Sequence, residues 1–274
     1  MLDIIDNKNM LSNLMINHLG KNLITNCYLS IKEFEDEIEL KTLMYREFPT
    51  GNLYILKYRE DFMILYYYIN RADSVKNEFN EIKSIFDNKK IVVEIPYREE
   101  LQLEEVLDLF DELGFSLSLK RINLEHQIEA RLDTTCPYSE IEWKYFFDSI
   151  EDSTRIREFL LDNFDKYTGC IPLKETIMKK IESNYFYVLE NVESKEIVGV
   201  LEFDLGRTTT IKHLAVSKEY RGKGLGRLLI NMMLNTNKNV NVWTTFSSNA
   251  EQFYKNNGFV TTEYKSAVLI YEGE

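Results

Sequence analysis

Cysteine, histidine and proline are all scarce in this chain, which has three, three and four of them among 274 residues. Cys27, Cys136 and Cys170 are too few and too scattered for a disulfide framework, and no Cys-x-x-Cys pair suggests zinc. The expectation is free thiols in a reducing compartment. His18, His126 and His213 supply no metal-ligand spacing, so no metal is expected. Long apolar runs are missing too. The longest, Phe62 to Ile69, falls far short of the roughly 20 residues needed to span a bilayer, and no membrane partner is expected. Positive charge is in deficit, with 33 Lys and Arg against 45 Asp and Glu and a net charge of -12. Nucleic acid is thereby disfavoured as a partner, because phosphate neutralisation needs clustered cations, while cationic small molecules and basic peptides stay open. Asp3 and Asp6 stand where a secretory leader would carry positive charge, so the expected location is the cytoplasm.

What is present is an ordinary globular composition, 44% hydrophobic and 28% charged, on a chain long enough for one large or two ordinary domains. Apolar spacing predicts helices over Lys8 to Leu19, Ser30 to Tyr45, Val75 to Phe86 and Gln102 to Leu113. Strands are expected over Leu53 to Tyr58, Phe62 to Ile69, Lys90 to Ile95 and Ser116 to His126. After a linker at Thr134-Thr135-Cys136-Pro137 come helices over Ser153 to Asn163 and Leu173 to Ser183. Strands follow over Tyr185 to Glu190, Ile197 to Leu205 and Thr209 to Val216. Leu225 to Asn235 and Ala250 to Asn256 read as helices, with strands at Val240 to Thr244 and Val260 to Tyr271. The halves resemble each other: Leu109-Phe110-Asp111-Glu112-Leu113-Gly114-Phe115 aligns with Phe253-Tyr254-Lys255-Asn256-Asn257-Gly258-Phe259. The expected organisation is a duplication, 1–133 and 134–274.

Chemistry concentrates in Arg221-Gly222-Lys223-Gly224-Leu225-Gly226, between a strand and a helix. Unpaired N–H groups of such a loop converge with the first helical turn, and the helix dipole adds positive potential, which suits a pyrophosphate. A Walker A loop would need Ser or Thr after Gly-Lys, and a dinucleotide fingerprint would need Gly-x-Gly-x-x-Gly. Neither fits.

Arg221, Gly224 and Gly226 do match the Arg/Gln-x-x-Gly-x-Gly/Ala signature, and the chain resembles the GCN5-related N-acetyltransferase (GNAT) superfamily. A second resemblance runs from Asn249 through Tyr254 to Gly258-Phe259. The resemblance implies an α/β fold of two tandem GNAT-like domains on mixed, mainly antiparallel sheets. The first would be degenerate, as in FR47-like and glycine-N-acyltransferase-like relatives. It implies acetyl-CoA as co-substrate, bound by Arg221, Gly222, Lys223, Gly224, Leu225 and Gly226 at the pyrophosphate. Asn249 and the main chain of Leu214, Ala215 and Val216 would hold the pantetheine arm, in a gap between two parallel strands that splay after a bulge. It implies that Tyr254 protonates the departing thiolate. The first half has no glycine between Gly51 and Gly114 and carries Phe110 at the place of Tyr254, so it would lack both parts.

The transferred acetyl group would go to a primary amine of a small molecule or peptide. His213 is the titrating candidate for the amine's proton, with Glu202 and Asp204 beside it. Tyr167, Trp243 and Tyr264 are candidates for the acceptor pocket. A non-catalytic acyl-CoA-binding or regulatory module, or transfer of a longer acyl group, also accommodates the loop. Both a monomer and a homodimer are compatible with the sequence.

Overall fold

The computed structural model describes residues 2–20, 23–86, 89–127, 132–144, 147, 149–236 and 239–273. The chain begins with β1 (Asp3–Ile4), α1 (Lys8–Asn17), β2 (Ile24–Thr25), α2 (Glu35–Glu39), β3 (Leu43–Glu47), β4 (Leu53–Arg59) and β5 (Phe62–Ile69). It continues with α3 (Val75–Lys83), β6 (Lys90–Tyr97), α4 (Glu100–Asp111) and β7 (Phe115–Gln127). Then follow β8 (Ile141–Trp143), α5 (Ser149–Asn163), α6 (Lys174–Glu182), β9 (Phe186–Asn191), β10 (Ile197–Asp204) and β11 (Thr209–Val216). The last elements are α7 (Leu225–Thr236), β12 (Asn239–Thr245), α8 (Asn249–Asn256) and β13 (Val260–Tyr271).

One expected element differs in kind. The helix expected to reach Tyr45 stops at Glu39, Lys41 turns the chain with φ 55, and Leu43–Glu47 pairs antiparallel with β4. Leu43 is fully buried in that strand, so burial in the sheet overrides the helical spacing. The short strands β1, β2 and β8 are too brief for a pattern to reveal. Among the described residues no helix is long and apolar enough to cross a membrane.

Two compact units divide the chain, one of residues 1–120 with 264–274 and one of residues 121–263. They do not coincide with the sequence halves 1–133 and 134–274, and two long strands are the reason. Strand β7 passes from the first unit into the second at Lys120–Arg121, and β13 returns at Glu263–Tyr264. Residues Arg121–Gln127 of β7 pair with β12, while Lys265–Tyr271 of β13 pair with β6. Each unit thus takes its last strand from the other half of the chain.

The units share one plan. In the first, the strand order is β1-β3-β4-β5-β6-β13, antiparallel except for the parallel pair β5–β6. In the second it is β8-β9-β10-β11-β12-β7, antiparallel except for β11–β12. Gly114 after α4 and Gly258 after α8 hold φ 87 and 86 and end their helices in the left-handed conformation. The next residue packs back on each helix, Phe115 on Phe110 at 5.1 Å and Phe259 on Tyr254 at 5.3 Å. The mixed, mainly antiparallel α/β class expected from the sequence is the one observed.

Both faces of each sheet are covered, so central strands are apolar on successive residues. In the second unit Val188, Val200 and Ala215 pack under α5 and α6, while Leu189, Leu201 and Ile211 pack under α7 and α8.

Candidate active site

Two irregularities in the second unit open a cleft. Opposite β10 the register shifts between Glu202 and Phe203, which face His213 and Ile211, so Lys212 is an extra, bulged residue. The parallel ladder to β12 runs through Thr209, Thr210 and Ile211 and stops there, although both strands continue. Beyond the bulge, Ser217 N–H donates to Val198 O on the β10 side at 3.0 Å. Strand alternation therefore aims the main-chain groups of Leu214 and Val216 at the gap and those of Ala215 at β10. This is the splayed pair expected from the family resemblance, with both main-chain groups of Leu214 and the N–H of Val216 facing the gap, the Val216 carbonyl being taken by Arg221.

At the end of β11 the chain makes a short turn, Lys218–Tyr220, and enters the glycine loop. Gly222 and Gly224 take φ 76 and 84, and a Cβ at either would point into open space. Both glycines are needed for backbone conformation rather than for room. Gly226 differs: a Cβ there would meet the Phe253 ring at 3.3 Å, so it lets α7 pack on α8. Phe253 is thus a packing residue. The first main-chain bond into α7 is Leu228 N–H to Gly224 O at 3.0 Å. Among the described residues no acceptor takes the N–H groups of Gly222, Lys223, Gly224, Leu225, Gly226 and Arg227. Several free donors at the positive end of a helix form a site for a polyanion.

The side chains around the loop fall into two sets. Arg221 turns inward and braces the loop, its Nε donating to Val216 O at 3.0 Å and its Nη2 to Asn163 Oδ1 at 2.9 Å. Tyr138 donates to Lys223 O at 3.2 Å. Lys223 and Arg227 stay exposed, with the Lys223 ammonium 4.6 Å above the Tyr220 ring. Neither Asn163 nor Tyr138 was singled out in the sequence. Each reaches the loop from far along the chain and carries no local signal.

Tyr254 lies on α8 among Phe253 and Phe259 and is buried. Among the described residues its hydroxyl has no hydrogen-bond partner, and burial raises its pKa above the ordinary value of 10. It is a neutral phenol with its proton still to give. Asn249 opens the same helix and is exposed. Ser248 caps that helix by accepting from Glu251 N–H at 3.1 Å.

His213 sits elsewhere, buried on the face of the sheet under α5 and α6. Its Nδ1 is 2.6 Å from Glu202 Oε2 and its Nε2 is 2.7 Å from the Gly169 carbonyl. Both nitrogens are engaged by oxygen atoms of the protein, so neither lies open to an incoming amine. The Phe164 ring stands edge-on at 4.9 Å. Lys180 of α6 reaches Glu202 at 2.5 Å and Asp204 at 2.7 Å. Burial pushes the Glu202 carboxyl up, but the charges of Lys180 and His213 outweigh it and hold it down at about 2. Sequence reading named His213, Glu202 and Asp204 but missed Lys180, whose helical position distinguishes it from the neighbouring Lys179 only once the fold is known.

Of the acceptor candidates, Trp243 on β12 is partly exposed and Tyr167 belongs to the α5–α6 connection. Tyr264 belongs to the first unit, where its hydroxyl accepts from Arg98 at 2.7 Å.

A splayed parallel pair leading into a glycine loop of free N–H donors, with an unbonded phenol on the following helix, resembles the acyl-CoA cleft of the GNAT fold. The comparisons agree. Residues 155–268 match the family model described as acetyltransferase (GNAT) domain. A GCN5-related N-acetyltransferase from Sphaerobacter thermophilus superposes with TM-score 0.65 at 13% identity, covering 99% of this chain and 95% of that one. A tandem GNAT protein from the clavulanic acid biosynthesis pathway gives 0.54 at 10%, covering 81% and 78%. The glucosamine N-acetyltransferase region of a fungal multi-domain GH3 β-N-acetylglucosaminidase gives 0.65 at 13%, covering 99% of this chain and 38% of that one. No curated protein matches the chain. At such identities the solved structures speak for the fold, which is that of GNAT proteins, and the family model matches part of the chain, residues 155–268.

Proposed function

We propose that the chain is an acetyl-CoA-dependent N-acetyltransferase that passes the acetyl group directly to a primary amine of a small molecule or peptide. The observation carrying this reading is the run of unpaired N–H groups from Gly222 to Arg227. It lies at the end of a strand whose neighbour has moved away after Ile211.

In this reading the loop holds the pyrophosphate, with Lys223 and Arg227 adding charge at its rim. The pantetheine arm runs back along β11, its amides meeting the gap-facing groups of Leu214 and Val216, and Asn249 contacts it from the start of α8. The thioester then lies at the bulged end of β11, near Lys212. A neutral amine attacks the thioester carbonyl, the C–S bond breaks, and the CoA thiolate takes the Tyr254 proton. Burial keeps the phenol protonated at neutral pH and so able to donate a hydrogen bond to the sulfur as charge develops there. It also makes the phenol a weaker acid, which then regains its proton from water. The amine's own proton goes to water, since both nitrogens of His213 are already engaged. Fixed donors and one placed acid lower the barrier by binding the transition state better than the reactants.

Acetyl-CoA should raise the thermal midpoint, because a ligand that binds only the folded chain stabilises it. Turnover is then sought over glucosamine, polyamines, amino acids and peptide N-termini. Tyr254→Phe removes an unbonded hydroxyl, so the fold and the acetyl-CoA affinity should persist while kcat falls by about 10²–10⁴. An unchanged kcat would remove Tyr254 from the mechanism, and binding without turnover of any amine would leave a binding module.

A further inference from the structure

The first unit repeats the cleft and fills it with its own side chains. Its parallel ladder β5–β6 runs through Phe62, Met63 and Ile64 and then stops, as β11–β12 does after Ile211. In the gap sits Asn26, buried, at the end of β2. Its Nδ2 donates to Leu65 O on β5 at 2.9 Å and to Glu94 O on β6 at 3.1 Å, and its Oδ1 accepts from Tyr67 N–H at 2.9 Å. Two carbonyls and one N–H as partners fix which way the carboxamide points. Thr25 continues along the same edge, its hydroxyl donating to Tyr67 O at 2.6 Å, and β2 then pairs with the end of β5 at Thr25–Tyr68 and Ile24–Ile69. A strand and an amide side chain therefore occupy the β5 edge, the counterpart of the β11 edge left open in the second unit.

The anion end is closed as well. After β5 the chain turns through Asn70 and Arg71 towards α3, and both of their N–H groups donate to Asn52 Oδ1, at 2.8 and 3.0 Å. Asn52 Nδ2 in turn donates to Glu78 Oε2 at 2.8 Å, and the Tyr54 hydroxyl donates to the same oxygen at 2.8 Å. Glu78 is buried in the first turn of α3. A carboxylate thus stands at the helix N-terminus where a pyrophosphate would have to enter, and like charges exclude each other there.

We propose that Asn26 is an internal stand-in for a pantetheine amide and Glu78 with Asn52 for the pyrophosphate. On this proposal the first unit is a self-occupied cofactor cleft, and the chain binds one acyl-CoA, in the second unit. The inference rests on the acyl-CoA reading of the second unit for its stoichiometry, and on the geometry of the first unit alone for Asn26.

Calorimetric titration of the full chain with acetyl-CoA should give one equivalent per chain, and two would overturn the proposal. Zero would sink the cofactor reading of the second unit and leave the decision to Asn26→Gly. That variant loses a carboxamide with three buried partners, and its thermal midpoint should fall by roughly 5–10 °C. Acetamide, which is the deleted side chain as a free molecule, should restore a good part of that loss in the variant and add nothing to the wild type. Acetone, of the same shape without N–H donors, should restore none. Equal effects of acetamide and acetone, or no fall at all, would overturn the internal-ligand assignment. If Asn26→Gly does not fold, Asn26→Ser keeps one donor and should lose less than half as much. A Ser variant as stable as the wild type would count against the proposal.

Discussion

A carboxylate taken out of water stays ionised only when cations reach it, and Glu202 has two. Lys180 and His213 together outweigh its burial and depress its pKa from 4.5 to about 2. Folding therefore gains from this ionisation wherever the unfolded carboxyl is ionised too, above its ordinary 4.5. The gain is lost as the pH falls through about 2. Glu202→Gln leaves Lys180 and His213 without their buried partner and should cost about 3–5 kcal/mol at neutral pH. Denaturant titrations at a series of pH values should show the gap between wild type and variant closing from about 4.5 down to about 2. A gap of constant size would mean that the pair does not govern stability. These residue types could be read from the sequence, since Glu202 and His213 lie on neighbouring strands. Their roles could not: a histidine with one nitrogen on a carboxylate and the other on a distant carbonyl looks the same in sequence as a base.

At the scale of elements, the glycine loop was the most legible part of the site because its requirement is local. Left-handed φ at Gly222 and Gly224 leaves a direct mark in composition. The splay of β11 from β12 leaves none. A bulge at Lys212 needs no special residue; family resemblance implied that a bulge precedes the splay, and only the register against β10 gives its place. The three loop glycines also differ in a testable way. Gly224→Ala has free space for its methyl but pays roughly 1–2 kcal/mol for the left-handed backbone, and the loop should relax away from the geometry that aims its N–H groups. Acetyl-CoA affinity should fall about ten-fold or more, with a thermal midpoint only slightly lowered. Gly226→Ala keeps an ordinary helical backbone but presses a methyl on Phe253, so its main effect should be on stability. Calorimetry and thermal melts on the two variants separate these effects. Equal affinity losses in both would mean that the loop acts through packing alone.

On the scale of the whole chain, the likeness of the halves was visible in the paired Gly-Phe ends of α4 and α8, but the exchange of last strands was not. β7 and β13 are both long strands following a helix and a glycine, and choosing a partner for either is a non-local decision that periodicity does not encode. The consequence concerns where the chain can be cut. A fragment of residues 134–274 lacks Arg121–Gln127, so β12 loses its antiparallel neighbour and Val240 and Val242 stand on an open edge. The same fragment keeps Tyr264–Tyr271, whose apolar residues have lost β6. An unpaired apolar edge and an unpaired apolar strand together favour aggregation. A fragment of residues 121–263 retains every strand pairing of the second unit and leaves neither exposed. The shorter cut should therefore give a soluble fragment with native strand content by circular dichroism and a midpoint raised by acetyl-CoA. The cut at 134 should give aggregate. If instead residues 134–274 fold and respond to acetyl-CoA while 121–263 do not, the strand exchange is not what completes the second sheet.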